Sequence, residues 1–179
     1  MIRRTARLTL RPFEDRDRAP FASLNADAEV MEHFPAPLSR AESDRFVDRI
    51  EQKRASDGFC VQAVDADGLG FIGYCGLMIP GALLPFQPCV EIGWRLARRA
   101  WGRGYASEAA RDALAHAFLD LALDEIVSFT ATGNLRSMAV MERIGMIRDP
   151  DGDFLHPSIE KGHAVEKHVL YRIAKGDFG

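Results

Sequence analysis

The chain has 179 residues, of which 47% are hydrophobic and 27% are charged, and its formal net charge is −3. This length predicts a single domain over residues 1–179 that is large enough to bury a core. No apolar run approaches the roughly 18 residues of a membrane span, and the slight negative charge offers no general attraction to nucleic acid, so we expect neither membrane insertion nor direct nucleic-acid binding.

The start of the chain, Met1–Arg7, is basic but lacks the apolar stretch and cleavage pattern of a secretory signal, and we expect a cytoplasmic protein. The three cysteines, Cys60, Cys75 and Cys89, are an odd number without C-x-x-C spacing. They are expected to be buried free thiols, with neither disulfides nor a zinc site. The histidines near the C-terminus are irregularly spaced and likewise predict no metal.

The first predicted elements are a short strand and a helix. The alternating segment 7–12 predicts a strand that is stopped at Pro12, because proline cannot donate to a sheet. Asp15 or Asp17 can cap the helix that follows. The apolar face of this helix carries Phe21, Leu24, Ala28 and Met31, with a candidate break near Ala26.

The second helix has the clearest local signal. Ser39-Arg40-Ala41-Glu42 is a capping box, in which the serine and glutamate side chains accept from backbone N–H groups at a helix start. This helix is expected to end near Gly58. Two strands, 59–64 and 70–79, follow it and are joined by a turn over Asp65–Gly68, which predicts an antiparallel pair.

Strand and helix patterns alternate in the second half of the chain and cluster in the first, which predicts a mixed α/β class with one partly antiparallel sheet. The helix after Gly104 has an alanine-rich stripe that would let it lie close on the sheet. A weak strand or turn is expected near Met146 and Phe154. The other predicted segments are strand 89–96, helix 105–119, strand 125–132, helix 135–144 closed by Gly145, and strand 165–173.

A basic loop with two glycines, Arg98–Gly104, joins strand 89–96 to the next helix. Gly102 and Gly104 allow the backbone to turn with its N–H groups inward, and the first helical turn adds unpaired donors and partial positive charge. These features predict an anion site that suits a diphosphate. A P-loop or Rossmann site is disfavoured, because no Lys-Ser/Thr pair follows the glycines and the third glycine of the dinucleotide pattern is absent.

The segment Arg99-Ala100-Trp101-Gly102-Arg103-Gly104 has the form Q/R-x-x-G-x-G/A between a strand and a helix. It resembles the acetyl-CoA pyrophosphate loop of the GNAT N-acetyltransferase superfamily. Three further segments resemble the RimJ/RimL-like branch, the ribosomal-protein N-terminal acetyltransferases: Thr5–Arg11, Glu91–Trp94 and Asn134–Met146. Four ordered matches that span nearly the whole chain are specific, whereas one short glycine pattern is not.

The resemblance implies one GNAT-like domain with a central mixed, mostly antiparallel, splayed sheet flanked by helices. It also implies an acetyl-CoA-dependent N-acetyltransferase that moves an acetyl group to a primary amine, either a protein N-terminal α-amine or a small amine, by direct transfer in a ternary complex. An alternative of a different class is a non-catalytic acyl-CoA-binding regulatory or interaction module. The implied partners are acetyl-CoA and the amine, and the chain is expected to be a monomer or a homodimer.

Backbone N–H groups from Arg99 to Ala106 would receive the pyrophosphate, and the arginines of the loop would add charge-assisted contacts or face solvent. By resemblance, the strand 90–96 splays from its neighbour, its backbone pairs with the pantetheine arm, and an N–H there polarises the thioester carbonyl. The expected cofactor-binding residues are Ile92, Trp94, Arg98, Arg99, Ala100, Trp101, Gly102, Arg103, Gly104, Tyr105, Ala106, Asn134 and Ser137.

Glu91 and Ser137 are the candidate catalytic residues. Strand alternation puts Glu91 on the face opposite the apolar residues, where it is either a general base, acting directly or through water, or a solvated carboxylate. Asn134 and Ser137 open a helix and can simply cap it. By resemblance, Asn134 contacts the cofactor arm and Ser137 protonates the departing thiolate. No tyrosine lies between Tyr105 and Tyr171 to take that second role.

The resemblance puts the acceptor end between two loops, Met31–Leu38 and Pro150–His163, with His156 a candidate lining residue. Their mixed acidic and apolar character does not specify one acceptor. An α-amine with a pKa near 8 is about one-tenth neutral at pH 7, whereas a lysine amine near 10.4 is well below roughly one part in a thousand neutral. An N-terminal acceptor therefore needs far less help from a base.

Overall fold

The computed structural model of the protein describes residues 1–179 and contains eight strands and four α-helices. Short 3₁₀ turns cover Arg98–Ala100 and Lys175–Asp177, and a π-helical turn covers His116–Asp120. The strands are β1 (Arg3–Arg4), β2 (Leu8–Arg11), β3 (Gln62–Ala66), β4 (Gly70–Met78), β5 (Glu91–Leu96), β6 (Glu125–Ala131), β7 (Ile147–Leu155) and β8 (Lys167–Ala174). The α-helices are α1 (Asp15–Ala26), α2 (Arg40–Asp57), α3 (Tyr105–Ala115) and α4 (Leu135–Arg143).

All eight strands form one sheet in the order β1-β2-β3-β4-β5-β6-β8-β7. Neighbouring strands are antiparallel except β5 and β6, which are parallel and share one register pair, Glu91 opposite Val127. Beyond that pair the two strands separate and open a gap in the sheet. The predicted mixed, mostly antiparallel, splayed sheet flanked by helices is confirmed.

Helices cover both faces of the sheet and create two hydrophobic clusters. On one face α3 buries Ala109, Ala110 and Ala113 completely, and these small side chains let its backbone approach the strands closely, as the alanine stripe predicts. On the other face α1 and α2 contribute Phe21 and Val47 to a smaller cluster. None of the helices combines the length and the apolar character needed to cross a membrane.

The capping box that opens α2 is confirmed. Ser39 Oγ accepts from the Glu42 N–H, and Glu42 Oε2 accepts from the Ser39 N–H at 2.8 Å. At the other end Gly58 adopts a φ of +81°, a left-handed conformation that only glycine takes without strain. Sequence signals that act within one helical turn are therefore sufficient to predict the bounds of α2.

The cap of α1 differs from the prediction. Glu14, rather than Asp15 or Asp17, is the N-cap residue, and Asp17 lies one turn in, where its Oδ2 accepts from the Glu14 N–H at 2.8 Å. The reason is that the Asp17 carboxylate is held by a buried arginine, described below. α1 ends at Ala26, the candidate break, so that Met31 lies in the loop that follows.

Strand bounds elsewhere differ from the predictions by at most three residues, and β1 has no predicted counterpart. The α-helical part of α3 ends at Ala115 and continues as the π-helical turn, instead of running to 119. The three cysteines are unpaired, with Cys60 and Cys75 buried and Cys89 half-buried. Burial raises the pKa of Cys75 to about 12.

The segment between α4 and β8 is more regular than predicted. We expected only a weak strand or turn, whereas β7 runs over Ile147–Leu155 as an edge strand paired with β8. Its register shifts between Asp149 and Phe154, so that Pro150 and Gly152 fall in the irregular stretch. An edge strand accommodates both residues, because one of its sides needs no backbone donors.

A buried ionic network ties β2 to α1 and β3. Arg11 is 5% exposed and makes a two-pronged contact to Asp17, with Nη1–Oδ2 at 2.6 Å and Nη2–Oδ1 at 2.9 Å. Its Nε donates to Asp65 Oδ2 at 2.7 Å. Asp17 is 1% exposed, and removing its carboxylate would leave the buried Arg11 charge with Asp65 and, at 3.8 Å, the half-exposed Glu14 as its remaining carboxylate partners.

We expect Asp17→Ala to lower the free energy of unfolding by about 3–5 kcal/mol, because it leaves a buried guanidinium short of its main partner. Urea unfolding followed by circular dichroism measures this loss. Asp15→Ala is the matched control, since the Asp15 side chain is 98% exposed in the same helical turn and should change stability by less than about 0.5 kcal/mol. Equal losses in the two variants would contradict the role of the network.

Candidate active site

A cleft of about 1600 Å³ opens where β5 and β6 separate. One lobe is walled by the glycine loop, α3 and α4. The other lobe is walled by the loops Met31–Leu38 and Pro150–His163, which contribute His33, Phe34 and His156 among others. The gap in the sheet connects the two lobes, so a long ligand can enter from one face while a second ligand enters from the other.

The glycine loop forms a cradle of backbone donors. Gly102 and Gly104 have φ values of +72° and +78°, which explains the need for glycine at both positions. The six backbone N–H groups from Gly102 to Ser107 donate no hydrogen bond within the chain. These donors, together with the partial positive charge at the start of α3, form an arrangement suited to an anion, and binding of a diphosphate there stays a prediction.

Arg7 fastens the end of β2 to this cradle. Its Nη2 pairs with Glu108 Oε2 at 2.6 Å, its Nη1 donates to the Arg103 carbonyl at 3.0 Å, and its guanidinium lies 4.7 Å from the centre of the Tyr105 ring. Nothing in the local pattern around Arg7 indicates this contact, because Glu108 is 101 residues away in sequence. Arg7 and Tyr105 both line the cleft.

The structure keeps three arginine side chains of the loop out of the cleft lining. Arg98 pairs with Asp27 at 3.0 Å and also with Glu29. Arg99 donates to the Phe71 carbonyl. These three side chains do not line the cleft, so the cofactor contacts expected of them are not seen, and the backbone donors of the loop are what this end of the cleft offers to a ligand. The three are Arg98, Arg99 and Arg103.

Trp101 closes the loop against β5. Its Nε1 donates to the Leu96 carbonyl at 2.7 Å, and its ring carries the Arg136 guanidinium at 4.4 Å from the ring centre. Trp101, Arg136 and the neighbouring Ala100 all line the cleft, although Ala100 is nearly fully buried. The arginine of α4 therefore lines the same lobe of the cleft as the glycine loop.

The backbone of β5 leaves polar groups directed into the gap. The Val90 carbonyl accepts from the Val127 N–H, and the Ile92 carbonyl accepts from Ser128 Oγ at 2.9 Å. Backbone groups of alternate residues in a strand point the same way, so the N–H and C=O of Trp94 face the gap. The Ile92 side chain is buried in the core, and its backbone borders the gap.

Glu91 lies at the base of the gap and lines the cleft. Burial raises the pKa of Glu91 to about 8, because removal from water disfavours the charged form. No basic side chain lies within 4.0 Å of the carboxylate to offset this cost. Its Oε1 is 3.6 Å from the position that a Cβ of Gly93 would take, so the glycine leaves open space beside the carboxylate.

Asn134 and Ser137, at the start of α4, differ in their hydrogen bonds. Asn134 is the N-cap residue, with its Oδ1 accepting from the Ser137 N–H at 3.2 Å and its Nδ2 donating to Thr130 Oγ1 at 2.9 Å. The Ser137 hydroxyl makes no hydrogen bond within the chain and lines the cleft. Capping is therefore done by Asn134, and the Ser137 hydroxyl is available to a ligand.

Aromatic residues and two histidines wall the far side of the cleft. The ring centres of His156 and His168 are 5.0 Å apart, and both rings pack near Phe129 and Phe154. Burial lowers the pKa of both histidines, so they are neutral at pH 7. The sequence pointed to His156 alone, since Phe129 and His168 look like ordinary strand residues. No group of three His, Cys, Asp or Glu side chains is arranged to hold a metal ion.

The fold and this cleft define an acyl-transfer enzyme of a known class. Residues 7–147 match the family model described as an acetyltransferase (GNAT) domain, and the chain belongs to the GNAT acetyltransferases. The uncharacterized protein YkkB of Bacillus subtilis is 33% identical over 144 residues, which cover 79% of this chain and 83% of YkkB. The uncharacterized N-acetyltransferase YnaD of the same organism is 29% identical over 179 residues, or 97% of each chain.

The chain is also similar to a relative with a more specific name and to proteins of known structure. YdaF of Bacillus subtilis, provisionally named a ribosomal N-acetyltransferase, is 33% identical over 75 residues, 42% of this chain and 41% of YdaF. A GNAT-family acetyltransferase from Bacillus anthracis has a TM-score of 0.79 at 26% identity, covering 98% of this chain and 99% of its own. The spermidine N-acetyltransferase of Vibrio cholerae, crystallised with CoA and spermine, shares the fold, with a TM-score of 0.74 at 20% identity over 97% and 98% of the two chains.

We expect Gly104→Glu to abolish acetyl-CoA binding while the protein stays folded, because the new carboxylate would occupy and repel the position of a diphosphate. Gly68→Glu is the matched control. Gly68 has a φ of +73° in the β3–β4 turn, so the backbone strain of about 1–2 kcal/mol is the same, but the site is elsewhere. Calorimetric titration with acetyl-CoA measures both variants. Unchanged affinity in Gly104→Glu, or equal loss in both, would contradict the loop assignment.

Proposed function

We propose that this GNAT acetyltransferase uses acetyl-CoA to acetylate a primary amine by direct transfer in a ternary complex. The observation that carries the proposal is the run of six unpaired backbone N–H groups from Gly102 to Ser107, which opens onto the gap between β5 and β6. A long ligand anchored there by its diphosphate would extend along the gap. Its far end would then lie beside Glu91, facing the second lobe. The lobe walled by the glycine loop, α3 and α4 is called the cofactor lobe below, and the lobe walled by the loops Met31–Leu38 and Pro150–His163 is called the acceptor lobe.

The gap offers the kind of contacts that a pantetheine arm needs. The free N–H and C=O of Trp94 suit amide groups, in the way one strand pairs with another. The same N–H can donate to the thioester carbonyl and stabilise the negative charge that develops on its oxygen. Acetyl-CoA supplies the activated acetyl group as its thioester, and the protein supplies orientation and proton transfers.

Glu91 is proposed as the general base. The amine must be neutral to attack, and it loses a proton as the new C–N bond forms. The Glu91 carboxylate accepts that proton readily, because burial favours its protonated form. The space beside Gly93 lets the proton pass to Glu91 either directly or through one water molecule.

Ser137 is proposed as the proton donor to the departing thiolate. When the C–S bond breaks, the sulfur carries the electron pair and needs a proton. The Ser137 hydroxyl faces the cleft without a partner in the chain. The Tyr171 hydroxyl donates to Glu142 outside the cleft, and Tyr105, which lines the cleft, packs its ring against Arg7.

The proposed acceptor is a primary amine, either a protein N-terminal α-amine or a small amine. The RimJ/RimL-like resemblance supports a protein N-terminus, and so does the partial match to YdaF. The spermidine enzyme shares the fold alone at 20% identity, so its substrate carries no weight for this chain. The cytoplasmic location and the monomeric or homodimeric state expected from the sequence stay predictions.

A thiol-release assay tests the proposal directly. Acetyl-CoA is mixed with the protein and with a panel of peptide N-termini, lysine peptides, polyamines and amino acids, and free CoA is measured. CoA release above the hydrolysis background with one or more amines is the expected result. Binding of acetyl-CoA without release for any amine would contradict catalysis and favour the alternative of a non-catalytic acyl-CoA-binding module.

We expect kcat/KM to rise with pH through an apparent pKa near 8, because only the ionised form of Glu91 accepts a proton and burial raises its pKa to about 8. Glu91→Gln should lower the rate at pH 9 by about 100-fold or more. The acceptor amine ionises equally in both proteins, so the ratio of the two rates isolates Glu91. A ratio that does not change between pH 6 and pH 9 would contradict its role as the base.

We expect Ser137→Ala to lower kcat by about 10–100-fold with unchanged acetyl-CoA affinity, since the hydroxyl is lost and the helix cap is kept. Asn134→Ala is the comparison, because it removes the cap and should cost about 1 kcal/mol of stability. Single-turnover kinetics and thermal unfolding separate the two effects. Full activity in Ser137→Ala would leave water as the proton donor.

A further inference from the structure

Arg95 is a buried cation that the proposed chemistry does not use. It is 8% exposed, lies on the same face of β5 as Glu91 and Gly93, and lines the cleft in the acceptor lobe. No carboxylate lies within 4.0 Å of its guanidinium. The other buried arginine, Arg11, has three carboxylates within 4.0 Å of its guanidinium, those of Asp17, Asp65 and Glu14. Arg95 therefore stands apart within this protein.

The surroundings of Arg95 are neutral. Its guanidinium carbon lies 4.1 Å from the centre of the Phe34 ring, 5.6 Å from that of Tyr74 and 5.8 Å from that of Phe46. Its only hydrogen bond runs from Nη1 to Asn25 Oδ1 at 2.6 Å. Asn25 is fixed in turn, because its Nδ2 donates to Ser43 Oγ at 2.9 Å.

This arrangement leaves most N–H donors of the Arg95 guanidinium without a hydrogen-bond acceptor. A guanidinium has five N–H groups, and one of the five is used. The buried Arg95 Nε has no acceptor at all. Stacking on aromatic rings offsets part of the cost of burying the charge, but a buried cation normally also has an anionic partner. The Arg95 guanidinium is therefore held in place by its neighbours, and an anionic partner would have to come from a ligand.

The other charged groups of the acceptor lobe do not fill that place. Glu29 is paired with Arg98, and Glu91 makes no ion pair. The two histidines on the far wall, His156 and His168, are neutral at pH 7. A ligand entering the lobe thus meets one permanent positive charge, which attracts an anion and repels a polycation.

We propose that Arg95 binds a carboxylate of the acceptor, so that the acceptor is an amine that itself carries a carboxylate group, such as an amino acid or an N-terminal acidic residue. This inference rests on the proposed N-acetyltransferase function. Gly93 and Arg95 are two residues apart on one strand face, about 6–7 Å. One small molecule can therefore present its amine beside Glu91 and its carboxylate to the Arg95 fork, which suits a two-pronged contact.

The first test uses the unaltered enzyme with pairs of acceptors that differ only in charge. L-glutamate is compared with L-glutamine, L-aspartate with L-asparagine, and L-phenylalanine with L-phenylalaninamide, each corrected for its neutral amine fraction. Spermidine is the polycationic comparison. We expect at least one acid to exceed its amide by tenfold or more in kcat/KM and spermidine to be a poor acceptor. If every amide matches its acid while CoA is released, the carboxylate inference is overturned and the proposed function stands.

The second test asks whether Arg95 is the source of that preference. Arg95→Gln should reduce the acid-to-amide ratio at least tenfold without changing acetyl-CoA affinity, and Arg95→Lys should keep part of it. Arg49→Gln is the matched control, because Arg49 stacks on Phe46 at 5.4 Å from an exposed position outside the cleft and should keep the full ratio.

A purely structural role for Arg95 predicts a different outcome. Loss of the Asn25 and Phe34 contacts would lower the rates for acid and amide equally, so an unchanged ratio in Arg95→Gln would overturn the inference. If Arg95→Gln does not fold, the ratio in Arg95→Lys and in the unaltered enzyme decides. Absence of CoA release with every amine would overturn the proposed function itself, together with this inference.

Discussion

Buried backbone N–H and C=O groups need hydrogen-bond partners. At the centre of this sheet, β5 and β6 lack most of the hydrogen bonds that neighbouring strands normally make with each other. β5 and β6 share a single register pair, after which the two strands diverge. The chain supplies substitutes on either side of the gap, with Ser128 Oγ on the Ile92 carbonyl and Trp101 Nε1 on the Leu96 carbonyl. The backbone N–H and C=O of Trp94, between these two carbonyls, face the gap and are available to a ligand.

Strand β5, which carries Trp94 and forms one wall of the gap, is packed tightly against β4. Gly73 of β4 has a φ of +141°, and a Cβ there would lie 2.1 Å from the Arg95 carbonyl, so β4 approaches β5 more closely than any side chain would allow. One face of this wall rests on the alanines of α3, which position the N–H cradle. The other face carries Arg95 within the Phe34, Phe46 and Tyr74 rings. One strand thus fixes the geometry of both lobes.

Charge is distributed between the lobes in different forms. The cofactor lobe offers unpaired backbone donors, and two of the arginines near it are paired with carboxylates, Arg7 with Glu108 and Arg98 with Asp27. The acceptor lobe keeps a full charge on Arg95 that the chain does not neutralise. Glu91, whose pKa is raised to about 8 by burial, lies at the boundary between the lobes, where the proposed reaction removes a proton from the amine. This division allows two ligands of different polarity to meet at the gap.

Local sequence signals predicted those parts whose cause is local. The capping box at Ser39, the alanine stripe of α3 and the glycine turns at Gly102 and Gly104 depend on neighbours within a few residues, and each was found. Contacts between distant segments could not be predicted in this way. The Arg95–Asn25 contact joins residues 70 apart in sequence. The partners of the loop arginines could not be predicted for the same reason. A long side chain can bond to any acceptor that the fold brings near, and for Arg99 this acceptor is the Phe71 carbonyl.

A crystal structure with bound CoA would show whether the thioester binds in the gap between β5 and β6. We expect the diphosphate on the N–H groups from Gly102 to Ser107, the pantetheine amides on the Trp94 backbone, and the sulfur between Ser137 and Glu91. CoA bound with its sulfur outside the gap, or a complex in which β5 and β6 pair along their full length, would contradict this expectation.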